Sequence, residues 1–190
     1  MPVDFILSLA LGLGLATAVG FRVFLPLFML GIAVRWGHIP ATSGFEWVGS
    51  DAALTMFAVA AVAEVAAFYV PFLDNAFSAI AAPVAIAAGI GVTALALGDA
   101  PPMLKWTLAI IAGGGAAAAT HGATSLLRGA STVATIGLGN HLISTGEIVG
   151  AIGMSLLALI LPYIALIGVV LIMIFVARRW WRKRAVALVT

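Results

Sequence analysis

Five apolar blocks, separated by short polar or Gly/Pro-containing segments, account for most of the chain. The first runs from about residue 4 to 34 and the second from 51 to 70; the third ends at 97, the fourth starts near 103 and the fifth runs from about 145 to 177. A helix of about 20 apolar residues is long enough to cross the hydrocarbon core of a bilayer. The pattern therefore predicts an all-α, polytopic transmembrane helix bundle of about five spans.

The first and fifth blocks are too long for simple spans. Each exceeds about 30 residues, or about 45 Å of helix, whereas a crossing needs about 30 Å. Block one is interrupted by Gly20-Phe21-Arg22 and Pro26, and block five contains Pro162. Both blocks are predicted to hold kinked helices or re-entrant hairpins, which leaves six or seven spans open as alternatives to five.

Composition places the chain in a membrane. Hydrophobic residues make up 64% of it and charged residues 8%, against about 45–50% and about 25% in soluble domains. The absence of cysteine excludes disulfides, thiolate metal sites and cysteine nucleophiles. We expect one transmembrane bundle over residues 1–177, a basic tail over 178–190, and no metal, cofactor or catalytic residue.

Positive charge predicts the orientation. The run RRWWRKR, Arg178–Arg184, directly follows block five, and Lys/Arg next to a span is retained on the cytoplasmic side. Its position favours membrane anchoring over nucleic-acid binding. We expect a bacterial inner-membrane protein with a cytoplasmic C-terminus. Five passes counted back from there put Lys105 and Arg35 inside, and the N-terminus and residues 129–144 outside.

A few ionisable side chains occur at or near membrane depth. They are Arg22, Glu64, Asp74, His121, Arg128 and Glu147. Each charge costs about 2.5–3.5 kcal/mol near the bilayer centre on insertion scales, so such residues pair, face the bundle interior or line a pathway. Two positive groups, three negative groups and one imidazole nearly neutralise each other. The set predicts a polar pocket inside the bundle.

The segment THGATSLLRGAST contributes a polar helix face to this pocket. His121, Ser125, Arg128 and Thr132 follow one another at i, i+4, i+7 and i+11. Under five passes this face opens outward, with Arg128 towards carboxylates. A structural ion pair that fixes helix register explains Arg128 equally well.

For two acidic sites, Glu64 and Asp74, a functional role has to be weighed against a structural one. Glu64 is the strongest functional candidate, because it is a lone carboxylate in an apolar helix; it is either protonated or faces Arg22 or Arg128. Asp74 and Asn75 follow Pro71; taken alone they are better explained as a cap of the next helix than as part of the pocket, although both are retained as pocket candidates.

Three motifs give the chain a family resemblance. They are GFRVFLPLF (Gly20–Phe28), EVAAFYVPFLDNAFSAI (Glu64–Ile80) and the segment from His121 through STVATIGLGNHLISTGE (Ser131–Glu147). Together they resemble the bacterial membrane family called domain of unknown function 4126. The resemblance implies a polytopic inner-membrane protein, and it supplies no activity and no catalytic residue.

The leading functional hypothesis is a transporter or channel for a small solute or ion, either proton-coupled or anion-selective. A membrane scaffold or assembly protein is the alternative. An intramembrane lipid-modifying enzyme is less favoured, because no HExxH, paired-Asp or GxSxG motif is present. The expected partners are the bilayer and the transported solute; a homo-oligomer remains open and nucleic acid is not expected.

Overall fold

The computed structural model describes residues 2–40, 44–67, 71–135, 138–171, 174 and 178. All regular structure in these residues is helical, which confirms the helical bundle. The helices are α1 (Pro2–Phe21), α2 (Phe24–Arg35), α3 (Asp51–Ala67), α4 (Pro71–Ala96), α5 (Pro102–Leu108), α6 (Gly115–Thr135), α7 (Asn140–Ile160) and α8 (Pro162–Leu171). A short 3-10 turn, Glu46–Gly49, precedes α3.

Two of these helices are parts of longer rods. A π-helical segment, Ala109–Gly114, joins α5 to α6, so the rod is continuous from Pro102 to Thr135. Helix α8 continues α7 after a break at Leu161, whose N–H donates to the Leu157 carbonyl at 2.8 Å. Pro162 lacks the amide that an unbroken helix needs, so the predicted kink in block five occurs here.

Block one forms a re-entrant hairpin. Helix α1 runs antiparallel to α4, since Gly12 lies against Thr93 and Ala16, one turn later, lies against Gly89. Leu30 of α2 lies beside this same part of α4, because it lines a cavity together with Val92, the neighbour of Thr93. The chain therefore rises along α1, turns inside the bundle and descends along α2.

This hairpin changes the predicted topology. The positive-inside pattern put the N-terminus and Arg35 on opposite sides, whereas the hairpin puts the start of α1 and the end of α2 at one end of the bundle. That end also holds Lys105, and we call it the basic end. The end of α6 at Thr135 and the start of α7 at Asn140 lie at the other end, the distal end. In the described residues α4, α5–α6 and α7–α8 extend past the hairpin tip, and α3 runs from the basic end to the tip, where Glu64 meets Val23.

Small residues bring the hairpin into the middle of the bundle. A Cβ added at Gly20 would lie 2.5 Å from Thr120 Cβ, and one added at Gly89 would lie 2.6 Å from Ala117 Cβ. Such close approach is how membrane helices gain packing contacts without a hydrophobic driving force. The glycines of α1 and α4 thus fix how near these helices come to α6.

The described helices suit a membrane by length and composition. Asp4–Phe21, Pro102–Thr135 and Asn140–Ile160 are each long and apolar enough to cross one. Many large apolar side chains face outward, among them Ile111, Val133 and Leu142, which are 70%, 88% and 80% exposed. Lipid is the solvent in which such a surface is stable.

Candidate functional site: a buried charge cluster at the hairpin tip

The hairpin tip carries the first charge of the site. Helix α1 ends where the Arg22 N–H donates to the Ala18 carbonyl at 3.2 Å, and α2 begins at Phe24. The Arg22 side chain is 1% exposed. A guanidinium this deeply buried requires carboxylate partners, because desolvation of an uncompensated ion costs several kcal/mol.

Glu147 of α7 joins two arginines. Its Oε2 lies 3.1 Å from Arg22 Nη2. Arg128 of α6 contacts both carboxylate oxygens, donating from Nε to Oε1 at 2.8 Å and from Nη2 to Oε2. Arg22 also donates to the Ser144 carbonyl at 3.4 Å. Paired hydrogen bonds of this kind are among the strongest that a carboxylate forms, so Glu147 links the tip, α6 and α7.

Glu64 of α3 caps the second half of the hairpin. Its Oε1 accepts the Val23 N–H at 2.8 Å and its Oε2 accepts the Phe24 N–H at 3.1 Å. The first amides of a helix have no partner within the helix and carry partial positive charge. Val23 has no side-chain oxygen with which to cap them. The carboxylate therefore arrives from another helix, where it also interacts electrostatically with Arg22.

His121 borders the cluster from α6. Its imidazole is half-buried, hydrogen-bonds to the backbone of Gly20, and interacts electrostatically with Glu147 and Arg128. The histidine thus meets the chain where α1 ends, next to Arg22. The close Gly20–α6 contact makes this possible.

The cluster is formally neutral, because Arg22 and Arg128 balance Glu64 and Glu147. Three of these groups, Glu64, Arg128 and Glu147, line a cavity of about 40 Å³, and Arg22 is joined to it through its contact with Glu147. Its lining residues are Val19, Phe21, Val23, Glu64, Ala81, His121, Thr124, Ser125, Arg128 and Glu147. About 10–15 Å³ of such space holds one water, whereas organic ligands occupy pockets of roughly 300–1,000 Å³. The cavity is sized for a few waters or a small ion.

Several predicted pocket residues lie away from its centre. Ser125 lines the cavity, although it is mostly exposed. Thr132 is exposed towards the distal end, where its hydroxyl accepts a 2.9 Å hydrogen bond from the Asn140 amide. Asp74 and Asn75 belong to α4, and their side chains lie outside the described part of the structure.

Two buried threonines on α6 were not predicted: Thr124 lines the cavity, and Thr120 packs against Gly20 beside it. Thr120 and Thr124 are buried, whereas Ser125 is not. They continue the small-residue face that begins at Gly113, because Ala117, Thr120 and Thr124 follow it at i+4, i+7 and i+11. Following that packing face along the helix, instead of the most polar face, would have selected them.

The fold and the site define a class of protein: a helical membrane protein whose re-entrant hairpin ends in a buried, charge-balanced cluster. The chain belongs to the family described as Domain of unknown function (DUF4126), whose model matches residues 9–183. The family resemblance is thereby confirmed. No curated protein and no solved structure matches the chain. Among the residues that the structure describes, no three His, Asp or Glu side chains are grouped to hold a metal ion.

Proposed function

We propose that the protein is a transporter or channel that moves a small ion through the cavity at the hairpin tip. The observation that carries this proposal is the meeting of three charged side chains, from α3, α6 and α7, around a cavity of about 40 Å³, with Arg22 of the hairpin tip paired to one of them. Broken helices with their ends at mid-bundle are the usual ion and substrate sites of membrane transporters. A purely apolar bundle would be simpler to insert, since each charge near the centre costs about 2.5–3.5 kcal/mol.

The cluster offers two chemistries for transport. Carboxylates that change partners carry protons, and Glu64 and Glu147 both line the cavity. Guanidinium groups bind small anions, and an anion entering the cavity would compete with Glu147 for Arg128, which lines it. In either case the passing ion must replace hydrogen bonds or ion pairs that Glu64 and Glu147 now make within the cluster.

The proposed orientation puts the basic end in the cytoplasm of a bacterial inner membrane. Arg35 and Lys105 support it, because positive residues beside spans are retained inside. Trp36, Trp47 and Trp106 are 72%, 52% and 47% exposed at the same end, as expected of aromatic residues at the headgroup level. The C-terminus is then cytoplasmic.

Ion flux through purified protein in sealed liposomes tests the proposal. A pH-sensitive dye and a chloride-sensitive dye inside the vesicles would report flux under an imposed gradient. We expect wild type to conduct one of the two ions, and Glu64→Gln or Arg128→Gln to reduce that flux strongly. Arg128→Gln is suitable because Glu147 keeps its 3.1 Å contact with Arg22. Arg35→Gln is the matched control, since its pair with Asp51 is exposed and remote from the cavity.

The second candidate function is a membrane scaffold, and one observation favours it. Both oxygens of Glu64 and both oxygens of Glu147 accept hydrogen bonds or ion pairs. Carboxylates bonded in this way also serve as a lock between the hairpin and the bundle. Absence of flux for both ions, with both site variants losing thermal stability, would favour the scaffold over the transporter.

A further inference from the structure

A second cavity, of about 200 Å³, opens between α2, α3, α4 and the 3-10 turn. We call it the apolar cavity. None of its lining residues carries a charge: Leu27, Leu30, Phe45, Trp47, Val48, Phe57, Ala88, Gly91, Val92 and Leu95. Water in such a space would have few hydrogen-bond partners, and apolar cavities of about 150 Å³ stay dry and take up apolar molecules. The space therefore suits a hydrocarbon ligand.

The apolar cavity lies just beneath the headgroup level of the basic end. Trp47 lines it and is nevertheless 52% exposed, so its ring connects the cavity with the surface. Exposed Trp36 follows Arg35 at the end of α2. Tryptophans of membrane proteins concentrate at the headgroups, which places the cavity where the first acyl carbons of a lipid lie.

An arginine, Arg35, ends the helix α2 that forms one wall of this cavity. The 3-10 turn that supplies Trp47 and Val48 packs on the end of α2, where a Cβ added at Gly49 would lie 3.3 Å from the Arg35 amide nitrogen. The Arg35 side chain is 44% exposed and pairs with Asp51, which is 86% exposed. Exposed pairs contribute little stability, so a phosphate can take over the guanidinium from Asp51.

We propose that the apolar cavity binds one acyl chain of an anionic phospholipid, with the lipid phosphate at Arg35. The acyl chain fits the uncharged lining and the headgroup fits the arginine at the end of α2. This inference needs only a membrane-embedded chain, and it is independent of whether the protein conducts ions.

Gly91 provides the decisive variant. A Cβ added there meets nothing within 4 Å, so Gly91→Leu extends into the apolar cavity without a backbone clash. Gly153 of α7 is equally open and lies on an exposed face outside the cavity. Gly153→Leu is thus the matched control, because it makes the same substitution within a helix and leaves the cavity empty.

Native mass spectrometry of the full chain with dioleoyl-phosphatidylglycerol measures binding. We expect one tightly bound lipid on wild type and on Gly153→Leu, and an affinity lower by roughly tenfold or more on Gly91→Leu, because the leucine takes the place of several methylenes. Arg35→Gln should also weaken the binding. Unchanged affinity in Gly91→Leu would overturn the acyl site, and unchanged affinity in Arg35→Gln would overturn the place of the phosphate.

A second measurement needs no cavity-filling variant. Phosphatidylglycerol brominated in mid-chain should quench a component of the tryptophan fluorescence of wild type. Trp47→Phe should remove that component, because Trp47 lines the cavity, and Trp106→Phe should retain it. Equal quenching in wild type and Trp47→Phe would show that no acyl chain reaches the cavity.

Discussion

The carboxylate of Glu64 lies 2.8 Å from the amide nitrogen of Val23, a residue 41 positions earlier in the chain. The bond ties α3 to the tip of the re-entrant hairpin and caps α2 from outside its own sequence. A buried carboxylate that looked like a lone charge in an apolar helix thus has a defined structural task. That task also holds it at the wall of the ion-sized cavity.

Removal of this cap should loosen the hairpin tip. Glu64→Ala leaves the Val23 and Phe24 amides without acceptors, and each unsatisfied buried donor costs about 1–3 kcal/mol. Thermal unfolding in one detergent should show the loss, and hydrogen exchange should show lower protection at these two amides. Unchanged protection there would contradict the capping role.

Ser50→Ala is the control for a cap elsewhere. The Ser50 hydroxyl accepts the Ala53 N–H at 3.2 Å at the start of α3. Its loss should cost about 1 kcal/mol. It should leave exchange at the hairpin tip and ion flux as in wild type, since this cap lies at the basic end.

Glu147→Gln should be among the most destabilising single substitutions in the site. It leaves two arginines without their shared carboxylate, and breaking a buried ion pair costs about 3–5 kcal/mol. Arg35→Gln removes one partner of an exposed pair and should cost no more than about 1 kcal/mol. Thermal unfolding of the two variants gives the comparison.

A double variant separates charge from packing. Adding Arg128→Gln to Glu147→Gln removes one of the stranded charges, so the double variant should regain part of the lost stability. If the losses of the two single substitutions simply add, the pair is not coupled and the geometry described for Glu147 is wrong.

Gly20→Ala should push the hairpin away from α6. The new methyl would lie 2.5 Å from Thr120 Cβ and 2.7 Å from the Ala117 carbonyl oxygen. Overpacking of this kind costs about 1–3 kcal/mol, and we expect weaker ion flux because His121 contacts the same turn. Gly122→Ala in α6 meets open space and should be neutral or stabilising by up to about 1 kcal/mol. Equal thermal stability of the two variants would contradict the close contact.

The hairpin predicts that both ends of block one face the same compartment. The chain has no cysteine, so single cysteines can be introduced directly. Cysteines at Asp4 and at Met103, both exposed near the basic end, should react alike with a membrane-impermeant maleimide. A cysteine at Leu138, 80% exposed at the distal end, should react from the opposite side. Labelling of Asp4→Cys together with Leu138→Cys would restore the five-pass arrangement.

The sequence by itself determined the helical membrane class and the buried ionisable residues. Hydrophobic runs of span length and a scarcity of charge leave no alternative to helices in lipid, because the backbone must satisfy its own hydrogen bonds there. The breaks at Gly20-Phe21-Arg22 and at Pro162 were also visible, since glycine and proline interrupt helices in recognisable ways.

Only the tertiary structure decided which charges meet. Arg22 and Glu147 are 125 positions apart, and their pairing depends on α1 turning back inside the bundle instead of crossing it. Helical spacing shows which residues share a face, but it does not show whether that face points into the bundle or towards its surface. Packing through glycines against α6 therefore buried Thr120 and Thr124 and left Ser125 and Thr132 largely exposed.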